Sequence, residues 1–190
     1  MKTLPALFCG LTLALLPSVL HAQGQANFKI DKITPTFIDT PQYQVSNTAH
    51  QPQPNQNAKW LEIEVQFEAS MDTDELTVKY YVILNQTMLA GEVTHVTVSK
   101  GQELYSVMYV TPQQVSKIMA GKPATTSALR NVGVELAIKG QVVARMSTKT
   151  AGFAEQWWTQ GQSTGVLLNK NQTPFAPLYW DRYPQIKSDR

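Results

Sequence analysis

From residue 59 onward the chain alternates. In "KWLEIEVQFEA" (59–69), Leu61, Ile63, Val65 and Phe67 take every second place against Glu62, Glu64, Gln66 and Glu68. A period of two held this long predicts a β-strand with one face in a core and the other in water. "LTVKYYVIL" (76–84), "VTHVTVS" (93–99) and "ELYSVMYV" (103–110) are rich in the β-branched and aromatic residues that suit a pleated surface. "NVGVELAIKGQVVARMST" (131–148) reads as a hairpin, with Val132, Val134, Leu136 and Ile138 inward and Gly140 in the turn. A second "KGQ" places Gly101 between two strands, where the same job is expected of it. "NFKIDKITPTFI" (27–38) adds an early strand.

A different period governs "TPQQVSKIMAG" (111–121). Val115, Ile118 and Met119 fall at helical spacing, Thr111 is placed to cap, Pro112 suits the first helical position and Gly121 suits the stop. Seven strand candidates and one short helix predict an all-β fold. The expected form is an antiparallel immunoglobulin-like β-sandwich with an aromatic C-terminal extension, and a β-barrel is the alternative. Nothing has the spacing of helical crossovers. The stretch 40–59 is rich in Gln, Asn and Pro and reads as a long loop, more readily a solvated connector than a functional one.

The beginning of the chain follows neither pattern. "MKTLPALFCGLTLALLPSVLHA" carries Lys2, an apolar stretch from Leu4 to Leu20 and the small residue Ala22. It reads as a secretory signal peptide of residues 1–22, with Ala26 the second candidate cleavage point. The single cysteine, Cys9, precedes the apolar core rather than ending it, so lipidation is not expected. The expectation is a secreted protein (periplasm, outer surface or extracellular), with the sandwich over 27–150 and the extension over 151–190. No later stretch is long and apolar enough to be a membrane span.

Composition narrows the function. Removing Lys2 from 16 basic residues leaves 15 against 14 acidic ones, with no basic run, so nucleic acid is not an expected partner. Beyond Cys9 there is no thiol for a disulfide or a thiolate metal site. His50 lies in the polar stretch and His95 in a strand, too few for a zinc site, so His95 reads as an ordinary strand residue. Asp72, Asp74 and Glu75 in "MDTDEL" lack the calcium-loop pattern and read as a solvated turn. No nucleophile elbow, phosphate-cradling loop or dinucleotide fingerprint occurs. The chain is therefore read as no enzyme, with no catalytic residues, metal or cofactor.

Aromatic residues then crowd the end. "AEQWWTQ" and "TPFAPLYWDRYPQI" place Trp157, Trp158, Tyr179, Trp180 and Tyr183 among polar groups such as Gln156, Gln160, Asp181 and Arg182. Three readings fit: a lid docked on the sandwich, a surface for a protein partner, or a platform for sugar rings. The lid reading puts Trp180 on the sandwich. Pro174, Pro177 and Pro184 stiffen the segment for docking. Adjacent Trp157 and Trp158 would point to opposite sides of an extended segment, one to the core and one to the surface. These five aromatics are the candidate partner- or glycan-binding residues.

The signal-like start, the strand "KWLEIEVQFEA", the cysteine-free sandwich and the ending "TPFAPLYWDRYPQIK" resemble small secreted pilus-like proteins of the Verrucomicrobia. Those are encoded beside type IV pilus genes and have an immunoglobulin-like fold similar to archaeal pilins. The resemblance covers nearly the whole mature chain and carries no catalytic residues. It implies a role at the envelope or surface in pilus assembly or adhesion, with envelope or pilus proteins as partners and host glycans as the alternative ligand. One departure matters. A type IV pilin opens on a long apolar helix, whereas "QGQANFKIDKITPTFI" is polar and strand-like, which points to an accessory or adhesin-like part rather than a filament subunit.

Overall fold

The structure, a computed structural model, describes residues 27–43, 59–159 and 165–188. The expected signal peptide, Cys9, His50, Gln160 and most of the polar stretch lie outside the described residues.

Among the described residues, eight strands form two four-stranded antiparallel sheets. They are β1 (Phe28–Ile38), β2 (Trp60–Ala69), β3 (Thr73–Leu84), β4 (Thr87–Val98), β5 (Gly101–Val110), β6 (Leu129–Ile138), β7 (Gln141–Ser147) and β8 (Leu167–Asn169). One sheet has the order β1-β2-β5-β8 and the other β4-β3-β6-β7. β1 lies across from β7 and β8 from β4. The first seven strands follow an immunoglobulin-like path, except that β4 pairs with β3 rather than extending the β1-β2-β5 sheet. The place beside β5 that this leaves is taken by β8, from the C-terminal segment.

The alternation read from β2 is the core itself. Leu61, Ile63, Val65 and Phe67 are buried against Leu76, Val78, Tyr80, Val82 and Leu84 of β3 and Val132, Val134 and Leu136 of β6. The helix α1 (Pro112–Ile118) bridges β5 and β6 as its caps predict. Thr111 Oγ1 accepts from the Gln114 amide at 3.2 Å, and Gly121 leaves the helix at a φ of 75°, its amide bonded to the Ser116 carbonyl. Val115 and Met119 are its buried side.

Lys139 and Gly140, both at positive φ, make the two-residue turn between β6 and β7. Gly101 does not repeat that role. It is the first residue of β5, and the left-handed residue before the β4–β5 crossing is Thr97, near the end of β4, at a φ of 53°. β4 also starts six residues before the expected position 93, because its hairpin with β3 turns on Asn85 (φ 57°) without a glycine. The acidic group is exposed but only partly a turn: Asp72 precedes β3 and accepts from the Lys100 amide, while Asp74 and Glu75 open β3, Glu75 pairing with Lys187 at 2.6 Å.

The C-terminal segment as candidate binding surface

Residues after β7 wrap one side of the sandwich. They cross the outer face of the β4-β3-β6-β7 sheet, join the other sheet as β8, and run over that sheet's outer face. The chain then returns to β4, where the Val96 amide bonds the Gln185 carbonyl and the Lys187 amide bonds the Thr94 carbonyl. Both exposed edges on this side, β4 and β5, thereby gain main-chain partners.

Trp157 and Trp158 are both buried, contrary to the expectation of one inward and one outward. The segment is not extended there: it forms a single 3₁₀ turn (Trp157–Thr159) after Gln156 at a φ of 58°. Trp158 stacks on Tyr81 at 5.3 Å and 11°, while Trp157 meets Trp158 edge-on at 5.4 Å. Each indole N–H finds an acceptor, Trp158 on Glu135 Oε1 and Trp157 on Ser147 Oγ, both at 3.2 Å. Tyr81 Oη donates to the other Glu135 oxygen at 3.1 Å, so this outward-facing carboxylate of β6 is satisfied beneath the rings. Burial and the neighbouring Glu135 charge hold the Tyr81 hydroxyl well above the usual phenol range.

On the opposite sheet Phe175 stacks on Tyr109 at 4.7 Å and meets Trp60 edge-on at 5.4 Å. Tyr183 donates to Glu64 Oε2 at 2.7 Å, and Arg182 grips both oxygens of Glu64 at 2.9 and 2.8 Å. The Arg182 guanidinium also sits 3.8 Å from the Tyr105 ring centroid. The polar face of β2 therefore does not simply meet water. Burial pushes the Glu64 carboxyl up, but hydrogen bonds from Arg182 and Tyr183 outweigh it and hold it below the usual range. Glu62, which accepts from the Tyr109 hydroxyl at 3.0 Å, is raised by burial.

His95 is no ordinary strand residue. It is 1% exposed and points between the sheets, with Nδ1 3.0 Å from the Pro184 carbonyl and Nε2 2.8 Å from Ser106 Oγ. A carbonyl can only accept, so Nδ1 carries the proton. Nε2 then accepts from the Ser106 hydroxyl, and Ser106 Oγ accepts from Tyr80 Oη at 2.8 Å. This is a closed chain of neutral groups joining β3, β4, β5 and the C-terminal segment. Burial lowers the His95 pKa to about 4.

Trp180 and Tyr179 stand apart from all of this. Trp180 is 81% exposed and Tyr179 64%, so Trp180 is not the ring that docks on the sandwich; Phe175 and Tyr183 fill that place. The turn is fixed from below: the Arg182 amide bonds the Tyr179 carbonyl, and Arg182 is held by Glu64. Tyr179 sits at a φ of 52°, a strained region for a bulky residue. Of the five sequence-predicted site residues the structure thus leaves two adjacent rings outward, half-buries Tyr183, and buries Trp157 and Trp158 on the outer face of the β4-β3-β6-β7 sheet. Among the described residues no group of three or more His, Cys, Asp or Glu is placed to hold a metal, and no helix is long and apolar enough to cross a membrane.

A protein-family model matches residues 20–190, nearly the whole chain. The chain belongs to that family. It is also similar to a protein from Akkermansia muciniphila, a Verrucomicrobium, whose crystal structure superposes with a TM-score of 0.74 at 26% identity, covering 86% of this chain and 94% of that one. The match extends through the C-terminal segment, so family membership includes the residues that wrap the sandwich. Comparison with curated proteins gave no match.

Proposed function

We propose that this is a non-enzymatic interaction protein of the cell envelope or surface, serving a type IV pilus-like system in assembly or adhesion. In this reading it holds a protein partner through the Tyr179–Trp180 turn. The observation that carries this is the exposure of Trp180. Every other described aromatic of the segment after residue 150, Tyr179 excepted, is buried or half-buried, the other two tryptophans among them, yet Trp180 is left in water on an anchored turn. Exposed tryptophan on a rigid base is the kind of residue that dominates protein interfaces. Backbone strain kept at Tyr179 fits a turn retained for what it presents. The family match and the similar fold from a Verrucomicrobium are compatible with a pilus-related protein, and the signal-like start supports the envelope setting.

The rival is a secreted carbohydrate- or mucin-binding module, favoured by the same ring beside the amides of Asn171 and Gln185. Envelope extracts passed over the immobilised full chain and its Trp180→Ala variant, with a glycan array in parallel, separate the two. Capture of pilus components that Trp180→Ala loses supports the proposal. Glycan binding lost in Trp180→Ala, with no protein captured, replaces it with the rival.

A further inference from the structure

Beside Trp180 lies a small open pocket of about 250 Å³, walled by Trp180, Tyr183 and Ile186 and floored by Lys170. Lys170 is 5% exposed. Its ammonium donates to the Ala176 carbonyl at 2.6 Å and lies 5.8 Å from the Tyr183 ring centroid. Among the described residues no carboxylate pairs with it. The two other cations of residues 165–188 are both taken, Arg182 by Glu64 and Lys187 by Glu75. Buried charges are ordinarily paired, because an uncompensated one costs several kcal/mol (of order) to desolvate. One carbonyl and a ring face satisfy part of the ammonium and leave its charge without an opposite. Burial accordingly lowers the Lys170 pKa.

We propose that this pocket is a carboxylate-binding subsite that receives an acidic side chain of the protein partner, with Lys170 as its cation and Trp180 as its apolar wall. This rests on the protein-partner reading of the Tyr179–Trp180 turn. The chemistry of the walls selects the source of the carboxylate. A sugar acid offers a hydroxyl on almost every carbon, and the pocket answers with only two side-chain amides, Asn171 and Gln185. An Asp or Glu side chain needs one cation, a donor or two and an apolar wall, which Lys170, the two amides and Trp180 with Ile186 supply.

The test uses the ¹⁵N-labelled full chain without its signal segment, titrated with the peptide acetyl-Leu-Glu-Leu-amide and with its Gln counterpart. The subsite predicts saturable shifts of the Trp180 indole N–H and of the Lys170–Tyr183 amides with the Glu peptide. Binding of the Gln peptide should be weaker by about tenfold or more, as for loss of a charge-assisted hydrogen bond. Lys170→Met should abolish the preference while leaving the melting temperature unchanged or raised, since an unpaired buried charge has gone. Lys170→Gln serves the same purpose should the Met variant misfold. Equal response to the two peptides, no response, or a preference that survives in both variants would overturn the subsite. A lowered melting temperature with the Glu preference intact would assign Lys170 to holding the Ala176 turn instead. Glucuronate shifting the same signals more strongly than the Glu peptide would transfer the site to acidic sugars. Failure here with Trp180-dependent capture intact leaves the interaction role standing, and capture lost while the peptide binds overturns that role alone.

Discussion

The benzo ring of Trp158 rests on the backbone of Gly133: a Cβ added there would fall 2.5 Å from Trp158 Cε3 and 2.7 Å from Cζ3. The glycine on β6 is a seat for an indole delivered from a distant part of the chain. Gly133→Ala should therefore destabilise the protein by about 1–3 kcal/mol, as overpacking does. In urea melts, adding Trp158→Ala to Gly133→Ala should cost less than the sum of the two single changes, because the clash disappears with the ring. Strict additivity would mean that the indole does not sit there.

Aromatic residues of similar size should behave oppositely on the two sides of one turn. Phe175→Ala, which empties the stack with Tyr109 and Trp60, should cost about 3–5 kcal/mol. Trp180→Ala should change stability by no more than about 0.5 kcal/mol, as at exposed sites generally. Thermal melts of the two variants side by side check the contrast.

His95 makes stability fall in mild acid. Its folded pKa of about 4 lies below the ordinary value of 6.5, so the unfolded chain binds a proton the folded chain refuses. This contribution is fully present above pH 6.5 and is lost progressively as pH falls toward 4, amounting to about 3 kcal/mol. Urea midpoints measured from pH 7 to pH 4 should show the drop, and His95→Gln should flatten the part of it that belongs to this residue. An equally steep fall in the variant would place the acid sensitivity elsewhere.

Much of the frame was legible because it depends on local period. The β2 alternation, the Lys139–Gly140 hairpin and the Thr111 cap each state their geometry within a few residues. β8 was not legible: three residues, Leu167–Asn169, carry no period, and their pairing with β5 is decided by where the preceding turn delivers them. Nor could the sequence divide its aromatics. Phe175 and Trp180 stand in the same Pro-rich run, and which ring turns inward depends on the Arg182–Glu64 grip, which spans more than a hundred residues. The Trp157–Trp158 pair misled in the same way, since a left-handed Gln156 set a turn where an extended segment was expected. His95 gave no signal because its partners, Ser106 and Pro184, and the Tyr80 that donates to Ser106 come from three other elements.

The account turns on the C-terminal segment completing the sandwich and holding the Tyr179–Trp180 turn outward. Purifying residues 27–150 alone and melting them beside residues 27–190 tests this most directly. Without the segment, β4 and β5 lose their main-chain partners, and Tyr81, Trp60 and Tyr109 lose their covering rings. The account predicts a fragment that aggregates or melts far below the full chain. A monomeric, well-folded fragment of unchanged stability would contradict it.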